Sequence, residues 1–268
     1  MEPAKAVTMS PGIASISALG MRIDATSYQD AVSRIVEWAH KGESRTVAAA
    51  CVHMVMEAYD ERAYREIVNS CDMVTPDGMP LVWLQRARGI RTASRVYGPN
   101  LTLHLLEAAH RQKIPIGFYG GSPQALDGLL DVVQRVYANA PIVYACAPPF
   151  RPLDQLEQAQ VVEDIRASGA RIVFVGLGCP KQERWIAAHR GQIQATMIAV
   201  GAAFDFISGI KPQAPRWMQK SGLEWVFRML TEPRRLTGRY LKTNPRFVVL
   251  AAIQLWTERH NRHRSASI

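Results

Sequence analysis

The chain of 268 residues lacks several features that would place it in a familiar class. It has no run of about 18 apolar residues, so a membrane-spanning helix is not expected. Residues 1–12 lack the charged start and apolar run of a secretion signal, so none is expected there. The four cysteines, at positions 51, 71, 146 and 179, show no metal-type spacing, which favours reduced thiols in a cytosolic protein.

The positive charge is confined to the last fifth of the chain. The net formal charge is +9, yet residues 1–210 carry 20 basic and 20 acidic side chains. Residues 211–268 carry 12 basic and three acidic side chains, which account for the whole excess. A neutral body with a basic tail predicts a local anionic partner such as nucleic acid, a lipid surface or a pyrophosphate.

Apolar runs alternate with amphipathic stretches through most of the chain. Strands are expected at 46–52, 73–75, 116–119, 142–147, 171–176 and 197–200. Helices are expected after a capping-box pattern at Thr26 and Gln29, at 60–70, 101–112, from 123, at 153–168 and at 181–189. This order predicts an α/β fold with a Rossmann-like, mostly parallel sheet and helices on both faces.

The pattern changes after Gly209. Three short amphipathic stretches follow, separated by prolines at positions 212, 215, 233 and 245, and no strand signal remains. We therefore predict an α/β catalytic domain over residues 1–210 and a basic helical appendage over residues 211–268.

Ligands of parallel sheets bind beyond the carboxyl ends of the strands, and one predicted strand end carries a carboxylate. The turn Thr75-Pro76-Asp77-Gly78 follows the strand at 73–75. Asp77 can therefore act as a general base or bind a substrate hydroxyl. The alternative is an ordinary turn aspartate that caps the next helix.

Three further strand ends are rich in small residues that let a ligand approach the backbone. The candidate ligand-binding residues there are Gly120, Gly121, Gly178, Pro180, Gln182, Glu183, Gly201, Phe204 and Asp205. A helix that begins near Pro180 can face a diphosphate with its free N–H groups. The alternatives are turns without a ligand, a Glu183 that only favours the helix dipole, and a Phe204 that belongs to the core.

Arg95 precedes the helix at 101–112 and can bind a phosphate in a bidentate manner, although a surface arginine is the commoner case. No Asp-x-Asp pair and no His/Cys cluster with zinc spacing occurs, so no metal site is expected. A diphosphate leaving group then needs helix N-termini and arginines to neutralise its charge.

Several short motifs in order give the chain its resemblance to a known family. They are Thr75-Pro76-Asp77-Gly78, Arg95-Val96-Tyr97-Gly98, Val175-Gly176-Leu177-Gly178-Cys179-Pro180-Lys181-Gln182-Glu183, Gly201-Ala202-Ala203-Phe204-Asp205-Phe206, Gly222-Leu223-Glu224-Trp225 and Glu232-Pro233-Arg234-Arg235-Leu236. Across residues 16–247 the sequence resembles the WecG/TagA/CpsF glycosyltransferases.

The resemblance implies an inverting, metal-independent transfer from a UDP-sugar to a polyprenyl-diphosphate-linked acceptor in cell-surface polysaccharide biosynthesis. UDP-sugar is then a donor substrate, and no cofactor is implied. The family's proposed base falls on Asp77, and two further site residues fall on Arg95 and Gln182. Arginines of the appendage that cover the site match Arg228, Arg235 and, in a weaker match, Arg239.

The resemblance also implies where the protein works. The appendage should contact an anionic membrane surface, which places the protein in the cytoplasm, peripheral on the inner face of the plasma membrane. An apolar run near residues 247–256 with flanking Lys242, Arg246, Arg259, Arg262 and Arg264 fits a helix that lies on a bilayer. The alternative is a hairpin that packs on the body or on a second subunit, which leaves a homo-oligomer open.

The chain departs from the family pattern at two places. Ala49-Ala50-Cys51 stands where the family usually has Thr-x-Asn, and Gln213 stands where an arginine usually precedes Ala-Pro. These changes can alter the choice of donor or acceptor, or weaken the activity. The specific sugar cannot be read from any motif.

Two other classes of function compete with this interpretation. A nucleic-acid-binding protein would use the basic tail, with aromatic residues at 217, 225, 227 and 240 stacking on bases. These aromatics alternate with aliphatic residues at helical spacing, which favours packing, so no nucleic-acid partner is expected. A nicotinamide-dependent oxidoreductase would use the same sheet, but the glycine fingerprint lacks its third glycine.

Overall fold

The structure, a computed structural model, describes residues 13–265, with side chains described as far as Asn261. The expectation for residues 1–12 and the side chains of Arg262 and Arg264 therefore lie outside the described part.

The strands are β1 (Ser15–Ala18), β2 (Met21–Asp24), β3 (Arg45–Ala50), β4 (Met73–Pro76), β5 (Ile116–Gly120), β6 (Ile142–Cys146), β7 (Ile172–Gly176) and β8 (Thr196–Ala199). The helices are α1 (Tyr28–Lys41), α2 (Val52–Asp60), α3 (Arg62–Ser70), α4 (Met79–Ala87), α5 (Gly98–Gln112), α6 (Pro123–Val136), α7 (Gln155–Ser168), α8 (Lys181–Ala188), α9 (Ala203–Ile207), α10 (Arg216–Lys220), α11 (Glu224–Thr231) and α12 (Pro233–Ser265).

The predicted parallel sheet is confirmed. Six strands pair in the order β4-β3-β8-β7-β5-β6, and every pairing is parallel. Because these strands run in one direction, their carboxyl ends meet at a single edge of the sheet. The segments that begin at Cys51, Asp77, Gly121, Leu177 and Val200 all leave the sheet there.

Helices cover both faces of the sheet, as the alternating sequence predicts. Successive strand residues point to opposite faces, so Ile172 and Phe174 of β7 pack in one core and Val173 and Val175 in the other. The first core is closed by α1, α5, α6 and α9. The second is closed by α2, α3, α4, α7, α8 and α12 together with the β1–β2 hairpin.

The structure differs from the sequence predictions at several elements. The β1–β2 hairpin was not predicted, and residues 52–60 form α2 rather than the end of a strand and a loop. The N-cap of α1 is Ser27, which accepts a hydrogen bond from the Asp30 N–H at 3.2 Å, so the capping box at Thr26 is wrong. Local side-chain capping decides the start of that helix.

The appendage is helical, as predicted, but Pro245 does not interrupt it. α12 continues through Pro245 for 33 residues. Proline removes one helix hydrogen bond, that of the Leu241 carbonyl, and both residues are exposed, so water can take its place. The predicted break at this position is therefore wrong.

α12 also packs on the body. Phe247 and Ala251 are buried in the core that α2 closes, and the Gln254 amide exchanges two 3.1 Å hydrogen bonds with the backbone of Ser17 and Leu19. Arg246 pairs with Asp60 at 2.6 Å. Within residues 13–265 no helix is both long and apolar enough to cross a bilayer.

Candidate active site

Asp77 lies directly after β4, at the carboxyl edge of the sheet. Its N–H and that of Gly78 donate to the Ala50 carbonyl at 2.8 and 3.3 Å, which ties the turn to the neighbouring strand. Its Oδ1 accepts the N–H of Gly98, the first residue of α5, at 2.9 Å. The side chain is therefore held in place and only half-buried.

Arg95 binds the same turn from the other side. Its Nε donates to the main-chain carbonyl of Asp77, and its Nη2 donates to Glu224 of α11 at 2.5 Å. The guanidinium also stands 4.1 Å from the ring centre of Tyr97. Arg95 thus joins the Asp77 turn to the appendage.

Arg228 reaches the site from the appendage. It lies one helical turn after Glu224 in α11, and its guanidinium stacks 5.3 Å from the ring centre of Phe206. That ring lies 6.4 Å from the ring of Tyr97. A series of cation–ring and ring–ring contacts therefore connects Arg95 of the body to Arg228 of the appendage.

The surroundings of Asp77 suit a base near neutral pH. Burial raises the pKa of Asp77 to about 6, while the charges of Arg95 and Arg228 oppose this rise and that of Glu224 adds to it. A carboxylate with such a pKa is ionised above pH 6 and still basic enough to accept a proton.

Gln182 and Glu183, both predicted to lie beside a diphosphate, are buried and bonded to the protein itself. The Gln182 Oε1 accepts the N–H groups of Gly178 and Gly201, each at 3.1 Å, and its Nε2 donates to Glu183 Oε1 at 2.7 Å. Glu183 also accepts the Tyr64 hydroxyl at 3.0 Å, and burial raises the pKa of its carboxyl. Gln182 therefore joins the loops after β7 and β8.

The glycines at the strand ends fall into two groups. A side chain at Gly120 would meet the backbone of Gly176 at 2.6 Å, so this residue allows the close approach of β5 and β7. Gly121 donates its N–H to the Gly176 carbonyl at 3.0 Å. By contrast, Gly178 and Gly201 adopt positive φ angles and have open space where a side chain would stand. The second group is therefore the part of the edge that a ligand can approach.

Phe204 and Asp205 have different surroundings. The Phe204 ring is buried against Gly121 and Gly176, within 3.1 Å of where their side chains would stand, and it meets Phe118 edge-on. The ring therefore fills the space beside these two glycines. Asp205 pairs with Lys211 at 2.6 Å at the beginning of the appendage. Pro180 precedes the first residue of α8.

The appendage arginines named by sequence analysis are not all brought to Asp77. Arg235 is half-exposed and pairs with Glu232 at 2.5 Å. Arg239 lies closer to the sheet edge, near His53 in the first turn of α2. Burial of the His53 side chain, together with the charge of Arg239, lowers the pKa of His53 to about 4. The Nε atoms of Arg228 and Arg239 are buried and, among the described residues, have no hydrogen-bond partner. Each guanidinium therefore carries one donor that no described residue uses.

Sequence reasoning assigned no role to Glu224, Tyr97 or His53. Glu224 and Tyr97 do stand inside the motifs Gly222-Leu223-Glu224-Trp225 and Arg95-Val96-Tyr97-Gly98, and that position is the signal that could have found them. His53 follows the Ala49-Ala50-Cys51 departure and has no motif of its own. Among the residues that the structure describes, no group of three or more acidic, histidine or cysteine side chains is arranged to hold a metal.

Comparisons with known proteins identify one family for the chain. The model of the glycosyl transferase WecG/TagA/CpsF family matches residues 16–261. A relative from Bacillus spizizenii, named N-acetylglucosaminyldiphosphoundecaprenol N-acetyl-beta-D-mannosaminyltransferase, is 31% identical over 72% of each chain. Relatives of the same name from Bacillus subtilis and Staphylococcus aureus are 30% and 27% identical, over 66% and 88% of this chain and 68% and 91% of their own.

The family match covers most of the chain, including the sheet edge, Asp77, Arg95 and the appendage with Arg228. The two alternative interpretations, a nucleic-acid-binding protein and a nicotinamide-dependent oxidoreductase, find no support in this match. Tyr240 is also buried and packs against Trp225, so these rings are engaged within the appendage. The chain belongs to the WecG/TagA/CpsF family of glycosyl transferases.

Proposed function

We propose that the protein transfers a sugar, with inversion and without a metal ion, from a UDP-sugar to a polyprenyl-diphosphate-linked acceptor in cell-surface polysaccharide biosynthesis. One observation carries this proposal. Asp77 is a carboxylate held at the sheet edge by a hydrogen bond from Gly98. Burial raises its pKa to about 6, although the nearby charges of Arg95 and Arg228 oppose the rise. This is the arrangement that a general base beside an anionic leaving group requires.

In the proposed reaction the acceptor hydroxyl donates its proton to Asp77. The acceptor oxygen forms a bond to the anomeric carbon as the bond from that carbon to the β-phosphate oxygen breaks, and UDP leaves. A single displacement inverts the anomeric centre. The guanidiniums of Arg228 and Arg239 supply positive charge to the departing phosphate, since both retain unpaired buried donors.

The donor is proposed to lie across the loops after β7 and β8. Gly178 and Gly201 leave room for a ligand against the backbone, and Gln182 fixes the distance between their loops. The first turn of α8 is proposed to approach the phosphates. Gln182 then acts by positioning main-chain groups, because both of its polar atoms are already bonded.

The appendage is proposed to hold the protein on the cytoplasmic face of an anionic membrane. α12 turns an apolar stripe outward, and its members are more than half exposed: Leu241, Val248, Val249, Ile253 and Trp256. The cations Lys242 and Arg259 are exposed on the same helix, whereas Arg246 pairs with Asp60. A basic, amphipathic helix of this kind lies in the membrane interface.

The names of the relatives supply the first substrates to test. By their names, these relatives transfer N-acetylmannosamine to N-acetylglucosaminyl-diphosphoundecaprenol. Purified protein should be screened for thermal stabilisation by UDP-, GDP- and CDP-sugars, because a ligand at a hundred times its Kd stabilises by about 2.7 kcal/mol. Transfer should then be measured with UDP-N-acetylmannosamine and a short-chain lipid-linked N-acetylglucosamine, with EDTA present.

We expect stabilisation by uridine nucleotides and transfer that EDTA leaves unchanged. The product should carry the inverted anomeric configuration, as NMR of the new linkage reports. Retention of configuration, or transfer that needs a divalent cation, would refute the proposed mechanism.

A further inference from the structure

Glu224 is an acidic side chain of the appendage that reaches the active site. It lies at the first position of α11, and its carboxylate accepts the Arg95 Nη2 at 2.5 Å. Both side chains are only 15% exposed, so the ion pair is largely shielded from water. Residues 211–268 are strongly basic and contain three acidic side chains, one of which is Glu224. The Glu224 side chain is turned inward toward Arg95.

Arg95 links this carboxylate to Asp77. Its Nε holds the main-chain carbonyl of Asp77, and its Nη1 approaches the Gln219 carbonyl of the appendage within 3.5 Å. One guanidinium thus contacts the Asp77 turn and two segments of the appendage. A guanidinium is planar and rigid, so a partner that fixes one edge also fixes the other.

α11 presents two opposite charges to the body from a single face. Glu224 and Arg228 are spaced four residues apart, which places them on adjacent turns of one side of a helix. Glu224 binds Arg95, while Arg228 stacks on Phe206. The appendage therefore meets the site with a fixed register.

We propose that Glu224 is a positioning residue for the transfer reaction: it clamps Arg95 so that the Asp77 turn holds the geometry of the base while the appendage is docked. This inference rests on the proposed role of Asp77 as the base. It makes the appendage a structural part of the base site, distinct from its contact with a membrane.

The clamp has an electrostatic consequence for Asp77. The charged and titratable groups that face Asp77 come from several elements: Arg95, Tyr97, Tyr28, Cys51, Glu224 and Arg228. The negative charge of Glu224 adds to the effect of burial and raises the pKa of Asp77. Removal of that charge lowers this pKa, so Asp77 stays ionised to a lower pH.

The test uses the full-length protein and the short-chain acceptor with UDP-N-acetylmannosamine, or whichever donor the screen identifies. Glu224→Gln should reduce kcat about tenfold, because a small displacement of a reacting group costs one to two orders of magnitude. The KM for the donor should change less than about twofold, and the acidic limb of kcat/KM should move to lower pH.

Two further variants separate positioning from loss of docking. Glu224→Asp keeps the charge, so its acidic limb should remain at the wild-type pH. Glu258→Gln removes another ion pair between appendage and body, the one with Arg88, and should leave kcat and the pH profile unchanged. Equal losses of kcat in Glu224→Gln and Glu258→Gln would overturn the proposal, as would a Glu224→Gln acidic limb at the wild-type pH.

Failure of the proposed function gives a different result. If Asp77→Asn retains near-normal turnover, Asp77 is not the base and both proposals fall. If Asp77→Asn is inactive and Glu224→Gln behaves like the wild type, only the role of Glu224 is wrong.

Discussion

Asp77 has both a position and an acidity that fit proton removal. Because its pKa is about 6, the carboxylate predominates above that pH, and kcat/KM should fall as the pH drops through this value. Asp77→Asn has no base to offer, so turnover should decrease by roughly 100-fold or more. UDP binding, followed by calorimetry, should be preserved because the donor loops belong to other strands.

Asp127→Asn is a matched control for this substitution, since Asp127 is an exposed aspartate on α6. It should retain wild-type turnover at every pH. Near-normal turnover of Asp77→Asn would exclude the proposed base.

Gln182→Ala should loosen the donor loops. The substitution removes the acceptor that the N–H groups of Gly178 and Gly201 share. It also takes from the buried Glu183 carboxylate its Gln182 donor, and the loss of a partner by a buried polar group costs about 1–3 kcal/mol. We expect a lower Tm and an affinity for UDP about tenfold weaker, a loss of about 1.4 kcal/mol. Thermal unfolding with and without UDP measures both effects.

Gln160→Ala serves as the control, because Gln160 is exposed on α7 and bonds only to Asp164 among the contacts described for its side chain. If Gln182→Ala binds UDP as tightly as this control, Gln182 does not support the donor site.

Single residues could be located from the sequence more readily than their contacts. Strand-end position was enough to place Asp77 at the carboxyl edge of the sheet, and that edge is confirmed. Arg95 follows no strand, and its position before a helix together with the family motif indicated it. The partners of Gln182 could not be predicted, because they depend on how two separate loops face each other. Arg235 and Arg239 lie one turn apart on the same side of α12, and only the docking of this helix on the body decides which of them lies beside the sheet edge.

Elements with strong periodicity could also be predicted, while those stabilised by tertiary packing could not. The buried strands β5 and β7 match their predicted positions closely. The strand predicted over residues 46–52 ends at Ala50, and Val52 begins α2, which packs against α12. The sequence predicts a helix break at Pro245. The helix continues instead, because the buried residues on both sides, Tyr240 and Phe247, stabilise it by more than the loss of one hydrogen bond costs.

The outward stripe of α12 carries the membrane prediction. Val248→Glu combined with Trp256→Glu places charge on residues that are 63% and 62% exposed, so folding should be unaffected. Binding to anionic vesicles should fall at least tenfold, because the apolar area that enters the interface is lost. Vesicle sedimentation measures this change, and UDP binding shows that the body is intact.

Val136→Glu is the matched control, since Val136 is 62% exposed on α6, outside the appendage. It should bind vesicles as the wild type does. These substitutions test the surface more directly than a truncation at Gly209 would, because Phe247 and Ala251 belong to the core that the truncation would uncover. Equal vesicle binding by all three proteins would refute the membrane role of α12.

At the scale of the whole molecule, charge is segregated rather than spread. The body is neutral, and the entire +9 lies in residues 211–268. Association with a negatively charged surface should therefore weaken with ionic strength, since the Debye length falls from about 10 Å at 0.1 M to about 3 Å at 1 M salt.

We expect tight binding to vesicles with 30–40% (roughly one third) anionic lipid in 0.1 M NaCl, and weak binding to neutral vesicles or in 1 M NaCl. A salt-independent association would mean that apolar insertion alone holds the protein. Sedimentation at several salt concentrations distinguishes the two.

The length of α12 has a consequence for the choice of acceptor. Its 33 residues, Pro233–Ser265, span about 50 Å. Within that length, Arg239 lies beside the sheet edge and Gln254 bonds to the β1–β2 hairpin. In the membrane-bound orientation proposed above, a helix of that length would lie flat on the bilayer and would therefore fix the height of Asp77 above the lipid headgroups. We therefore expect the protein to favour an acceptor whose hydroxyl stands one sugar beyond its diphosphate, because a longer glycan would carry its terminal hydroxyl past the proposed base.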